Sequence, residues 1–200
     1  MSRSERSLPS SYFDDIYAGN PDPWGFESKP YEREKYAATL AALPRAHYAA
    51  ALEIGCSIGV LTEELAKRCD RLLALDAAEA PLARARQRLA GQAHVEFLHG
   101  RIPEDWPSGD GPEGRFDLIL FSEVLYFLDG EDLKRVCERV ARSLRPGGDV
   151  VLVHWLPETD FPLSGDEATE RFIAGTVDVL KPLSASRSEF YRMDTLRRVD

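Results

Sequence analysis

Glu53-Ile54-Gly55-Cys56-Ser57-Ile58-Gly59, followed by Asp76 at the end of a second apolar run, has the residue types and spacing of a nucleotide-cofactor site. An apolar strand, a glycine turn and a helix start, with a carboxylate about twenty residues on, are the layout of a ligand crevice in a doubly wound α/β sheet. A dinucleotide site uses G-x-G-x-x-G so that backbone closes on a pyrophosphate at a helix N-terminus. Here Ser57 stands where the middle glycine of that pattern belongs, and Glu53 sits just upstream of the turn. Its carboxylate would repel a pyrophosphate but helps to hold an ammonium. The pattern favours a cofactor that is cationic and free of phosphate, namely S-adenosylmethionine.

The elements that must position these residues follow from hydrophobic period, which switches repeatedly between strand-like and helical along the chain. Ala50 to Ile54, Arg71 to Asp76 and Val95 to Leu98 read as the first three strands. Phe116 to Ser122 is almost wholly apolar, as a strand buried on both faces of a parallel sheet should be. Leu61, Leu65 and Cys69 mark one helix face; Leu82, Ala85 and Leu89 mark another, with Pro81 in its first turn. Leu133, Val136, Cys137, Val140 and Leu144 form a third stripe, which Arg145-Pro146-Gly147-Gly148 closes before a fifth strand from Asp149 to Trp155. Ser164-Gly165-Asp166-Glu167 is a capping box for a further helix. The tail from about Val177 to Leu196 reads as an antiparallel hairpin joined at Ser184-Ala185-Ser186, added to the sheet edge. Tyr31 to Leu43 reads as an extra helix, the residues before it as irregular, and Pro107 to Gly114 as an exposed connection.

Length and composition bound the rest. At 200 residues and 44% hydrophobic content the expectation is one domain over residues 1–200, with an N-terminal lid arm and helix (1–45) and a Rossmann-like core (46–200). A net charge of -9, from 34 acids against 25 bases, argues against a broad nucleic-acid footprint and for small-molecule chemistry. The first residues have no apolar core and no stretch approaches a membrane span, so a cytoplasmic protein without membrane contact is expected. Cys56, Cys69 and Cys137 are odd in number and widely spaced, which fits reduced thiols better than a disulfide frame or a zinc site.

Taken together, the order of strands and helices, the glycine turn and the final hairpin resemble the class I S-adenosylmethionine-dependent methyltransferases over nearly the whole chain. Glu53-x-Gly55-x-x-x-Gly59 resembles that family's first motif, Asp76 its ribose-binding acid, Phe116-Asp117-Leu118-Ile119 its fourth strand and Leu144-Arg145-Pro146-Gly147-Gly148 its turn into the fifth. Asn20-Pro21-Asp22-Pro23-Trp24-Gly25-Phe26, Tyr31-Glu32-Arg33-Glu34-Lys35-Tyr36 and Ser122-Glu123-Val124-Leu125-Tyr126-Phe127-Leu128 are similar, more narrowly, to the nodulation N-methyltransferase NodS family. The resemblance implies a doubly wound, mostly parallel seven-stranded α/β sheet ending in an antiparallel hairpin. It implies S-adenosyl-L-methionine as cofactor, S-adenosyl-L-homocysteine as product, and the free amine of a deacetylated chitooligosaccharide as the kind of acceptor. On that reading Glu53 and Gly55 hold the methionine end, Gly59 allows close approach and Asp76 accepts from ribose hydroxyls. Cys56, Ser57, Ala77, Ser122 and Glu123 complete the cofactor side. Two departures stand out: Ser57 replaces a common glycine, and His99-Gly100-Arg101-Ile102 follows the third strand where relatives carry an adenine-binding acid. Adenine recognition would then fall to backbone, with Ile102 packing on the ring and Arg101 beside it.

Methyl transfer is an in-line displacement in which positioning does much of the work, so no conspicuous catalytic triad is expected. An amine must be neutral to attack, and a nearby carboxylate, phenol or imidazole can take its proton. Glu123 and Tyr126, just past the fourth strand, and His154, at the end of the fifth, are the acceptor-side candidates. Structural roles compete with these: Glu123 as a turn cap and His154 as a satisfied core histidine. His47 and His94 read as structural or surface groups. The rings from Tyr12, Phe13 and Tyr17 through Trp24 and Tyr31 read either as a lid over the sulfonium, worth of order 1 kcal/mol in cation–π attraction, or as anchors of the N-terminal arm. Arg84, Arg86 and Arg88 read as a solvated basic face. The expected function is methyl transfer to a small polar acceptor, an amino-sugar-like amine, with no metal. The rivals are an O-methyltransferase on a small natural product and a noncatalytic cofactor-binding module. The acceptor atom that carries the methyl separates the first, and binding without turnover the second.

Overall fold

The computed structural model describes residues 3–107 and 115–199. The connection expected at residues 107–114 therefore lies, from residue 108 on, outside the described residues.

Seven strands form one sheet: β1 (Ala51–Ile54), β2 (Leu72–Asp76), β3 (Val95–His99), β4 (Phe116–Ser122), β5 (Leu144–Trp155), β6 (Leu180–Arg187) and β7 (Tyr191–Arg198), in the order β3-β2-β1-β4-β5-β7-β6. The first five are parallel, and β7 runs antiparallel to both β5 and β6. The chain leaves β1 toward β2 and β3, then returns to lay β4 on the other side of β1. That reversal is the topological switch point, and a crevice opens there at the carboxyl ends of the strands.

β4 is buried along its whole length, as its apolar run requires. Ile119 and Phe121 pack with Leu52, Ile54, Val150 and Leu152 on the face covered by α5 (Gly130–Ser143) and α6 (Gly165–Gly175). Leu118 and Leu120 pack with Ala51, Val151 and Val153 on the opposite face, under α2 (Pro30–Ala42) and α3 (Val60–Ala66). α5 begins where Asp129 accepts from the Glu131 and Asp132 N–H groups, both at 3.0 Å, and it buries Leu133, Val136, Cys137 and Val140. α6 begins at the Ser164–Glu167 capping box, as its sequence predicts. α4 (Glu79–Arg88) turns Pro81, Leu82 and Ala85 inward.

Three boundaries differ from the sequence expectation. β5 starts at Leu144, and Arg145–Gly148 bulge out between the Phe116↔Leu144 and Leu118↔Asp149 pairs instead of separating helix from strand. Arg45 donates to the Gly147 carbonyl and holds the bulge, while buried Asp149 restarts the register by accepting from Tyr48 Oη and Arg197 Nε. The hairpin turn lies at Ser188–Phe190, because the Ser188 hydroxyl accepts from the Phe190 and Tyr191 N–H groups, at 3.2 and 3.0 Å; Ser184–Ser186 pair within β6. The segment expected to be irregular contains α1 (Ser10–Gly19), whose apolar stripe is thin: Tyr17 is its one fully buried residue. Among the described residues no helix is long and apolar enough to cross a membrane.

Asp117 ties the switch point together from below, its carboxylate accepting from Ala49 N at 2.9 Å and Ala50 N at 2.8 Å at the entrance to β1. Asp117→Ala leaves one buried and one part-buried N–H group without their charged acceptor. It should lower unfolding stability by about 2–3 kcal/mol in urea denaturation, with the m-value unchanged.

Candidate active site

The crevice at the switch point is a cavity of about 490 Å³ walled by the glycine turn, the ends of β2 and β4, the segment after β3, and the N-terminal arm. Gly55, just past β1, has a φ of +86°, and a Cβ there would lie 2.3 Å from Val124 Cγ2 and 2.8 Å from the Ser122 carbonyl. Both the backbone conformation and the close approach of the β4 loop demand glycine. Gly59 serves a different end from the one its spacing suggests. It is the N-cap of α3, does not line the cavity, and a Cβ on it would come 2.9 Å from Ala85 Cβ. Its role is the close packing of α3 on α4.

Asp76 ends β2, with Oδ2 accepting from Ser57 N at 2.8 Å and Oδ1 from Ala78 N at 3.0 Å. Burial raises its pKa while these N–H groups oppose the rise, so the carboxylate is held by backbone at the cavity wall. Ser57 takes a left-handed φ of +48°, and its hydroxyl hydrogen-bonds the Tyr17 phenol from α1. The side chain that replaces the usual glycine is what fastens the N-terminal arm to the glycine turn. Tyr17, Phe13, Trp24 and Phe26 pack there against Ile58 and Ala78, with Trp24 edge-on to Tyr17 at 5.5 Å. Within the Arg84–Arg88 run the Arg86 side chain reaches solvent beside Glu79, as expected, while Arg84 donates to the Pro21 carbonyl at 2.6 Å, Arg88 donates to the Ile58 carbonyl at 3.0 Å, and both pair with Glu27. α4 thus clamps the loop that carries Trp24.

Glu53 is 1% exposed and lines the cavity; the buried Thr62 hydroxyl lies beside its carboxylate, but the two do not meet in hydrogen-bond geometry. Burial pushes its pKa up to about 7, with Asp76 adding to the rise and Thr62 opposing it. A buried carboxylate with no partner is costly, and a cation in the cavity relieves the cost. Cys56, Ala77, Arg101, Ile102, Ser122 and Tyr31 also line the cavity. The Cys56 thiol, pushed well up by burial, is an inert part of the wall, and all three cysteines are buried and free.

The acceptor-side candidates separate. Glu123 lines the cavity at a φ of +62°, but Oε1 accepts from Lys35 Nζ at 2.7 Å, and Oε2 accepts from Tyr126 Oη at 2.9 Å and Trp155 N at 2.7 Å. Tyr126 also lines it, its proton committed to Glu123 and its pKa raised by burial. His154 is 0% exposed and off the cavity: Nε2 accepts from Leu125 N at 3.3 Å and Nδ1 pairs with Thr169 Oγ1 at 3.1 Å. Burial lowers its pKa to about 4, so the ring is a neutral strut of the core and not a group facing the acceptor. His47, beside Asp70, and His94, on the Ala66 carbonyl, are remote from the cavity. Sequence reasoning missed Glu32 and Lys35, which line the cavity from α2. Their signal is the i, i+3 Glu–Lys pair on a helix face that also carries Tyr36.

Residues 51–148 match the family model of a methyltransferase domain. Nodulation protein S of Rhizobium tropici is 35% identical over 132 residues, 65% of this chain and 53% of that protein, so the chain spans about half of that relative. Nodulation protein S of Bradyrhizobium diazoefficiens is 30% identical over 175 residues, 86% of this chain and 77% of that protein. The crystal structure of N-methyltransferase NodS from Bradyrhizobium japonicum WM9 in complex with S-adenosyl-L-homocysteine superposes with a TM-score of 0.82 at 25% identity, covering 96% of this chain and 100% of that one. The chain belongs to the class I S-adenosylmethionine-dependent methyltransferases. The cofactor of this methyltransferase is S-adenosylmethionine, and the residues present fit it. The buried Glu53 carboxylate suits the methionine ammonium, the Gly55 turn presents backbone to the cavity beside it, and Asp76 retains lone pairs for ribose hydroxyls.

Glu53 makes the methyltransferase testable without turnover. Folding raises its pKa from 4.5 to about 7, so the folded ligand-free protein binds the extra proton and loses stability as pH climbs through that window. Glu53→Gln should therefore stabilise the ligand-free protein by about 3 kcal/mol near pH 8 and by nothing near pH 4, read by denaturant unfolding. S-adenosylhomocysteine should bind wild type more tightly as pH rises through about 7. Calorimetry on Glu53→Gln should show roughly tenfold weaker binding near pH 8 and no such pH dependence.

Proposed function

We propose that this chain transfers the methyl of S-adenosylmethionine to the amine of a small polar acceptor, an amino sugar or its oligomer. One observation carries the reading. Beyond the glycine turn the cavity holds two carboxylates, Glu32 and Glu123, around a single ammonium, that of Lys35, at 3.0 and 2.7 Å. All three are largely buried, and Lys29 acts on Glu32 only at longer range from an exposed position, so the buried cluster carries one negative charge more than its ammonium neutralises, and a protonated amine offsets it.

When bound, the cofactor supplies an electrophilic methyl on a sulfonium. The chain's own residues supply position and dryness. Phe13, Trp24, Tyr31, Tyr126 and Phe161 wall the cavity with aromatic faces, which exclude water and give flat apolar surfaces on which the C–H face of a sugar ring can lie. Tyr126 and Lys35 lock the Glu123 carboxylate, and the Trp155 N–H closes the same cluster onto the end of β5. The similarity to the NodS N-methyltransferase supports nitrogen over oxygen as the atom methylated.

The test is a product assay with methyl-labelled cofactor against glucosamine and its deacetylated oligomers. Labelled N-methyl product, located by mass fragmentation, is expected. Label on a hydroxyl, or cofactor binding without transfer to any amine in the panel, overturns the reading.

A further inference from the structure

Glu123 is the carboxylate that sequence puts forward for the acceptor, yet its oxygens are already taken by Lys35, Tyr126 and the Trp155 backbone. Glu32 is not engaged in that way. It is 6% exposed and lines the cavity, and its carboxylate has a single polar partner among the described residues, Lys35, whose Nζ lies 3.0 Å from Oε2. Its neighbour in the first turn of α2, Tyr31, likewise lines the cavity with a buried hydroxyl that has no partner. A buried anion with one partner and a neutral hydroxyl with none, on neighbouring residues in the wall of an aromatic cavity, are costly unless a ligand completes them.

We infer that Glu32 is the catalytic carboxylate on the acceptor side, receiving the acceptor ammonium together with the Tyr31 hydroxyl and taking its proton; this rests on the proposed amine methylation. In the step, one ammonium N–H bond breaks and its proton forms an O–H bond on the Glu32 carboxylate. The electron pair stays on nitrogen, and charge balances because a cation and an anion become two neutral groups. Lys35 is the positioning residue, holding both carboxylates at once. It is 2% exposed and stays charged, since Glu123 and Glu32 outweigh the burial that would lower its pKa. The groups facing Glu32 are Lys35 and Lys29 from its own segment, Tyr31 and Tyr36 from α2, and Glu123 and Tyr126 from the loop after β4. Burial lifts the Glu32 pKa against the pull of Lys35, which brings it closer to that of an amine and makes it a better proton acceptor.

The experiment is a pH profile of kcat/KM with deacetylated chitotetraose for wild type, Glu32→Gln and Tyr31→Phe, alongside calorimetry of S-adenosylhomocysteine. Glu32→Gln should lose roughly 100-fold in kcat/KM near neutrality. Its deficit should shrink about tenfold per pH unit as solvent supplies the neutral amine, and its S-adenosylhomocysteine affinity should stay within about threefold of wild type. Tyr31→Phe should lose roughly tenfold with no change in profile. Glu32→Gln within threefold of wild type at every pH overturns the inference and leaves amine methylation standing. If Glu32→Gln fails to bind S-adenosylhomocysteine, Glu32→Asp decides: a shortened carboxylate that retains full kcat/KM overturns it, and a loss of about tenfold or more supports it. Wild type that methylates no amine overturns the proposed function and this inference with it.

Discussion

The fold's chemistry depends on one close approach, that of the bare backbone at Gly55 to the loop leaving β4. No side chain fits there, because Val124 and the Ser122 carbonyl occupy the space and the φ of +86° excludes most residues. That contact brings the ends of β1 and β4 together at the switch point, so Glu53, from β1, and Glu123, from the β4 loop, face one cavity with Asp76 from β2. Glu123 takes its own left-handed φ as the loop turns away. Strain of this kind persists where surrounding contacts over-determine it, and three hydrogen bonds to the Glu123 carboxylate do so here.

The N-terminal arm is held to this crevice by polar ties more than by a deep apolar seam. The Tyr17 phenol meets Ser57, the Ser7 N–H and hydroxyl bind Asp129 and Asp132 at the start of α5, and Arg84 and Arg88 clamp the Trp24 loop through Pro21 and Glu27. The Tyr17–Ser57 bond is buried, whereas the Ser7 and arginine ties are partly or wholly solvated and exchange more readily with water. The aromatic rings supply area, and the hydrogen bonds supply register. Ser57 is a hinge between the two halves, since its N–H serves Asp76 and its hydroxyl serves the arm.

Much of the core was legible in the sequence because its signals are local and redundant. The continuous apolar run of β4, the stripe of α5 and the capping box of α6 each pair a periodic pattern with a terminus signal, and each element forms where the pattern lies. What escaped depends on partners distant in sequence. α1 buries Tyr17 alone, so period could not reveal it, and β5 begins early because Phe116 pairs with Leu144 across a bulge. The hairpin turn is set by one serine hydroxyl, not by the small residues that resemble a turn. In the site, Asp76 and the glycine turn were readable from spacing, whereas the Glu32–Lys35 pair reads as an ordinary surface i, i+3 pair until α2 is seen to cover the cavity. His154 shows the reverse error: a strand-end histidine whose ring faces Leu125 and Thr169 rather than the crevice.

Charge accounts for why such costly groups share one cavity. Glu53, Asp76, Glu32 and Glu123 line it against Lys29, Lys35 and Arg101, but Arg101 pairs with Glu104 and Lys35 is shared by two acids. An apolar wall cannot screen the excess, so in the ligand-free protein burial raises the pKa values of Glu53, Asp76 and Glu32 together. A cationic cofactor and a cationic acceptor each remove part of that cost, and only the native state can collect the gain. Ligand binding and folding stability are thereby linked, with each acid giving up stability in the ligand-free chain for affinity in the loaded one. A neutral competitor of the same shape relieves none of this, so selection for positive charge follows from the wall itself before any specific contact to the acceptor is counted.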